Sequence, residues 1–131
     1  LKNPKCVMKL VWILPIFMIL GGIGETDDTI NETFENSKKI KHTVFFPFVG
    51  MRIYPNTILH QKAIEEGVVS KDDDLLEPRY YISKNVDLTT LKERAKKTGK
   101  RWVFPDEDIS GAVQKMRLKN KKGPLWEYLL Q

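Results

Sequence analysis

The sequence is poor in the side chains that build metal and redox centres. One cysteine, Cys6, stands in 131 residues, which excludes an internal disulfide and any multi-cysteine metal site made by this chain alone. Two histidines, His42 and His60, lie eighteen positions apart with no third ligand at zinc-site spacing. His42 reads as a loop residue and His60 as an exposed helix position. No G-x-G-x-x-G turn or Gly-Lys-Ser/Thr loop is present, nor a G-x-S-x-G or Cys/His signature of nucleophilic catalysis. Long hydrophobic runs are missing too. The longest uncharged stretch, residues 10–24 (LVWILPIFMILGGIG), would span about 22 Å as a helix, short of a hydrocarbon core of about 30 Å. Pro15 would interrupt such a helix, and no A-x-A-like cleavage site follows it.

What is present suits one globular unit. The chain has the length of a domain, and with 41% hydrophobic residues it can bury a core. The net charge of +5 is uneven: residues 92–122 hold eleven Lys and Arg against four Asp and Glu. Such a block can meet phosphate, but it reads first as a solvated helix face followed by a lysine-rich turn. The acidic run Asp72-Asp73-Asp74 reads as a solvated loop.

The segment Ile16–Leu20 reads as a buried strand running into a glycine turn, Gly21-Gly22-Ile23-Gly24. Thr26 is placed to cap a helix whose first turn carries Asp27 and Asp28, with Ile30, Phe34 and Ile40 on one face and Lys38 and Lys39 near its end. Residues 43–53 (TVFFPFVGMRI) predict a second buried strand, bent or at a sheet edge because of Pro47. Two apolar strands joined by a helix predict a parallel βαβ unit. Beyond it, Thr57 caps a short helix over 58–66 stopped by Gly67, and residues 76–83 read as extended around Pro78. Asp87 is expected to cap a third helix running to Lys97, residues 101–104 make a short apolar stretch ended by Pro105, and a last helix is expected over about 108–120. The closing GPLWEYLL reads as an aromatic segment that docks on the rest. Trp102 and Trp126 read as core or docking residues, and Tyr80 and Tyr81 as packing. Alone, GGIGET is as consistent with a structural turn as with a binding loop.

Four segments in order, ILGGIGETDDTINET, FFPFVGMRIYPNTILHQKAIEEGVV, DDDLLEPRYYIS and KGPLWEYL, resemble the C-terminal part of cobalamin-binding radical S-adenosylmethionine proteins of the Fe-S oxidoreductase type. The resemblance covers residues 16–130. In that family a GGPGET-like turn follows a late strand of a partial (β/α) barrel, and the next strand ends in R-I-Y-P-G-T. Ile23 stands here where the family usually has proline, and Asn56 where it often has glycine.

The resemblance implies an α/β fold: residues 1–67 as the last strands and helices of a partial barrel, and 68–131 as a mainly helical C-terminal extension. It further implies a cofactor edge made by Ile19, Gly21, Gly22, Gly24 and Glu25, with Val49 and Gly50 at the end of the next strand, and Arg52 and Tyr54 near adenine or substrate. Glu25 is expected to bond backbone amides or cap a helix rather than to be a catalytic carboxylate. Arg52 is open to a substrate anion or to a structural ion pair. The family uses a [4Fe-4S] cluster on a Cys-x-x-x-Cys-x-x-Cys loop that this sequence does not contain, and cobalamin on a domain that precedes the barrel. The expectation is therefore a cytoplasmic fragment that does not make radicals alone and docks on a missing barrel half or on itself, its parent acting on a small molecule or lipid. No metal site, nucleic acid or membrane is expected of the chain. Two further readings are compatible with the sequence: a non-enzymatic α/β interaction module whose basic C-terminal block meets nucleic acid, and an exported or membrane-tethered protein using residues 10–24.

Overall fold

The computed structural model describes residues 11–130; Cys6 lies outside them. Three parallel strands form the main sheet: β1 (Leu14–Leu20), β2 (Thr43–Val49) and β5 (Arg101–Trp102), in the order β1-β2-β5. Helix α1 (Asp27–Ser37) connects β1 to β2. Between β2 and β5 come the short strand β3 (Met51–Arg52), helix α2 (Ile58–Glu65), strand β4 (Tyr80–Tyr81) and helix α3 (Leu91–Lys97). Helix α4 (Ser110–Leu118) and a 3-10 turn (Leu125–Tyr128) close the described chain. The fold is α/β with a small parallel sheet, and no barrel is closed among the described residues.

Helices α1 and α3 pack on one face of the sheet. Ile30 and Phe34 of α1 and Leu91 and Ala95 of α3 share a single core with Leu20, Phe45, Trp102 and Phe104, so α1 and α3 cover the same face, while α2 packs in a second cluster with Ile53, Val69, Leu75 and Tyr81. Phe45 stacks on Trp102 with ring centres 4.5 Å apart, and Phe34 meets Trp102 edge-on at 5.0 Å, two favoured aromatic geometries. Residues on both sides of position 67 belong to this core, because β5 and α3 lie beyond it. On the opposite face, Val44 and Val103 are covered by the C-terminal segment through Ile109, Ala112, Trp126 and Leu129. The Trp126 indole N–H donates to the Ile13 carbonyl at 3.0 Å, which fixes GPLWEYLL at the start of β1.

Pro47 sits in the middle strand, at a place that tolerates it. The Phe45 carbonyl faces β5 and accepts the Val103 amide at 2.8 Å. With a backbone period of two, Pro47 turns its missing N–H the same way, past the last β5 residue, Trp102. Pairing with β1 continues undisturbed, from Leu14 opposite Thr43 to Leu20 opposite Val49.

Several elements differ from the sequence expectation. The single strand over 43–53 breaks at Gly50, and Met51 and Arg52 leave the main sheet to pair antiparallel with Tyr81 and Tyr80. Only Tyr80–Tyr81 of the 76–83 segment is strand. Ile40 is 40% exposed because α1 ends at Ser37, before Ile40 can return to the apolar face. Asp87 does not cap α3; it closes its own turn by accepting the Thr89 amide (2.9 Å), and the helix starts after Thr90. The final helix is shorter than 108–120, with Asp108 accepting the Ser110 amide ahead of it at 2.8 Å. Thr26 does cap α1, in a reciprocal box with Thr29, and Thr57 caps α2.

Candidate functional site at the strand ends

Parallel pairing of β1 with β2 brings their C-terminal ends to one edge, so the turn over residues 21–26 and the segment Gly50–Tyr54 lie side by side. The Gly50 amide donates to the Leu20 carbonyl at 2.7 Å and locks the two exits together. At Gly50 the backbone has φ +90°, and a Cβ there would lie 3.0 Å from Ile82 Cγ1 and 3.1 Å from the Tyr81 carbonyl. Only glycine fits both the angle and the approach. Gly21, at φ +85°, is pressed on the same Ile82 side chain.

The Glu25 side chain folds back over the turn. Its Oε2 accepts the Gly22 amide at 3.0 Å and the Gly21 amide as well. Gly21 gives its carbonyl to the Ser83 amide (2.9 Å), Gly22 gives its carbonyl to the Glu25 amide (3.1 Å), and the Ser83 hydroxyl donates to the Glu25 carbonyl (2.7 Å). The backbone polar groups of Gly21 and Gly22 are thus satisfied within the protein. What this turn offers a ligand is shape and apolar surface.

That surface is an open depression of about 530 Å³ lined by Ile19, Gly22, Ile23, Gly24, Glu25, Thr29 and Met51. Ile19 is 56% exposed and Ile23 46%. The Met51 Sδ closes over Gly22, 3.2 Å from where a Cβ would stand. Val49 lies partly buried on the core side of β2 instead and packs against the main core. Arg52 and Tyr54 are both exposed, with the guanidinium 5.1 Å from the Tyr54 ring centre. Arg52 takes part in none of the ion pairs among the described residues. Ile19, Gly22, Gly24 and Glu25 are therefore brought together, Gly21 and Gly50 form the scaffold beneath them, and Arg52 and Tyr54 make a separate exposed pair.

Sequence reading missed three features of the site. Met51 was read only as part of a strand; its place follows from the break at Gly50. Ser83 and Ile82 come from a segment some sixty residues downstream, and no local pattern announces the contact. Arg94 clamps the turn's helix: it donates to the Asp27 carboxylate (2.7 Å), the Asp27 carbonyl (2.9 Å) and Asn31 Oδ1 (2.8 Å). The Arg94 hydrogen bond holds the Asp27 carboxyl below its usual value of 3.8, with further help from the Asp87 amide.

The two histidines also separate. His42 lies in a loop with φ +53°, whereas His60 is half-buried, its Nδ1 facing the Asn56 amide at 3.4 Å and its Nε2 buried without a partner. No group of three or more His, Cys, Asp or Glu is placed to hold a metal ion among the described residues. An iron–sulfur cluster on this chain would need thiolates that a single cysteine cannot supply, so its residues do not fit that group and no step is derived through it. No helix of the described residues is long and apolar enough to cross a membrane, and residues 14–20 of the uncharged stretch are strand. Comparison with known proteins found no matching family model, no matching curated protein and no matching solved structure.

Proposed function

We propose that this chain is a section of a partial (β/α) barrel of the radical S-adenosylmethionine type, and that its strand ends form part of the cofactor's adenosyl edge. The observation that carries the reading is the pairing of two loops at the C-terminal ends of adjacent parallel strands. Barrel enzymes hold their ligands at that edge. Ile19, Ile23 and Met51 would take the apolar face of the adenosyl group, and Glu25 would keep the turn in shape. When bound, the cofactor would supply the radical-forming chemistry only together with a cluster held elsewhere.

Docking on further barrel strands belongs to the same reading. Leu14 donates its amide to His42 and Leu20 accepts from Gly50, so the even-numbered residues of β1 face β2. The backbone groups of Phe17 and Ile19 consequently point to the open edge of the sheet. Phe17 is 62% and Phe48 49% exposed on the face opposite α1 and α3, beside the part that the C-terminal segment covers, with Phe17 stacked on Phe46 at 5.0 Å. An uncharged edge beside an apolar face suits a missing barrel half or, in its absence, another copy of the chain.

Titration of isotope-labelled protein with S-adenosylmethionine tests the cofactor claim. Saturating shifts at the amides of Gly22, Gly24 and Met51, weakened by Ile23→Asp, are expected. The absence of shifts there at several millimolar ligand would overturn it.

A further inference from the structure

The basic block does not spread evenly over the surface, and two-thirds of the way along the sequence it gathers around a second cavity. This one, about 440 Å³, is lined by Lys92, Ala95, Lys96, Lys100, Arg101, Trp102, Phe104 and Glu107. It lies on the β5 side of the sheet, with β2 between it and the glycine turn at the end of β1. Its volume falls in the range of small-molecule sites.

The four cations are not equivalent. Arg101 is engaged within the protein, with three of its five donors used: it donates to the Leu129 carbonyl (3.2 Å), to the Trp102 carbonyl (3.2 Å) and to Glu107, its ion-pair partner. Lys92 pairs with Asp106 and stands 5.8 Å from the Phe104 ring centre. These two cations and two carboxylates neutralise one another. Lys96, one helical turn beyond Lys92 on the same face of α3, has no side-chain partner among the described residues. Lys100 spends one of its donors on the Ile40 carbonyl at 2.6 Å, leaving two. The cavity therefore carries two uncompensated positive charges above an apolar floor of Ala95, Trp102 and Phe104. The Trp102 ring is held in place by its indole N–H bond to the Thr98 hydroxyl at 2.9 Å.

We infer that this cavity binds the dianion of a phosphate monoester that carries a flat apolar ring, with Lys96 and Lys100 on the phosphate and the ring against the Trp102–Phe104 floor. The charge count sets the dianion, and the apolar floor sets the ring. A bare surface patch of lysines would offer the first without the second. The inference is independent of the strand-end reading, because the two sites share no residue.

Adenosine 5′-monophosphate is a suitable probe, with adenosine and inorganic phosphate as comparators, followed by amide and indole NMR signals of the full chain. The monophosphate is expected to shift the Trp102 indole signal and residues 92–104 saturably, more tightly than inorganic phosphate, with adenosine at least tenfold weaker. K96Q/K100Q should weaken binding at least tenfold and flatten its salt dependence, while K115Q/K119Q leaves both unchanged. Lys96→Gln alone, at an exposed position, should show a partial loss with an unaltered spectrum elsewhere. Equal binding by K96Q/K100Q, equal binding of adenosine, or shifts centred on residues 115–122 would each overturn the assignment.

Discussion

The carboxylate of Glu25 closes on the amide of Gly22, three residues before it, at 3.0 Å, and the same oxygen takes the amide of Gly21. An acid in a glycine turn at a strand end invites a catalytic reading, yet here it shapes the loop. Glu25→Ala leaves two half-buried amides unpaired and should cost about 1–3 kcal/mol in a denaturant titration. Glu25→Gln, which keeps an acceptor, should cost less. An alanine variant as stable as the wild type would contradict this role.

The Arg94–Asp27 bond ties α3 to the first turn of α1 and predicts a pH dependence of stability. Because the folded state holds Asp27 below its ordinary 3.8, the ion pair stabilises the fold above that pH and loses its effect as pH falls through the folded value. Asp87, Asp106 and Asp108 are held low as well, by hydrogen bonds from Thr89, Lys92 and the Ser110 amide respectively. Asp27→Asn should thus reduce the acid-side slope below about pH 4 without abolishing it, and leave the profile at pH 6–8 as in the wild type. Thermal melts across pH 2.5–8 would read this, and an unchanged acid slope in the variant would refute it.

Two glycine-to-alanine changes should act in opposite directions. Gly50→Ala meets a positive φ and two contacts near 3 Å, and should destabilise by about 1–3 kcal/mol. Gly111→Ala sits inside α4 with nothing within 4 Å of the new methyl and should stabilise by roughly 0.5–1 kcal/mol. Denaturation midpoints of the pair check both signs at once.

Strands β1 and β2 were legible because their residues form short apolar runs ended by glycine, although β1, expected to be buried, is an edge strand with Phe17 and Ile19 more than half exposed; α1 was legible because Thr26, Asp27 and Asp28 announce its start. The boundaries that failed did so for tertiary reasons. Position 50 ends β2 because the chain must pass Ile82, and nothing around residue 50 names that partner. Asp87 has the right chemistry for a cap but satisfies its own turn and the Asp27 clasp first, since Asp27 Oδ1 accepts the Asp87 amide at 3.1 Å. Within the candidate site, the glycines and Glu25 were indicated by the family resemblance, since GGIGET alone is as consistent with a structural turn as with a binding loop. Met51 and Ser83 were not, since they arrive through the packing of β3 and of the segment that follows β4.

Phe45 and Phe17 lie on adjacent strands but on opposite faces of the sheet. Phe45 is wholly buried between α1 and Trp102, and Phe45→Ala should cost about 3–5 kcal/mol. Phe17 is mostly exposed, so Phe17→Ser should barely change stability but should reduce association through the open β1 edge. Sedimentation velocity over a wide concentration range reads the second effect. A wild-type chain that stays monomeric throughout would contradict the docking account.

The most direct measurement of the strand-end claim is a set of intermolecular NOEs between the adenine protons of S-adenosylmethionine and the methyl groups of the protein. The account predicts contacts to Ile19, Ile23 and Met51 and none to the Trp102 floor. Contacts confined to residues 92–104, or no contacts at all at ligand concentrations of several millimolar, would contradict it.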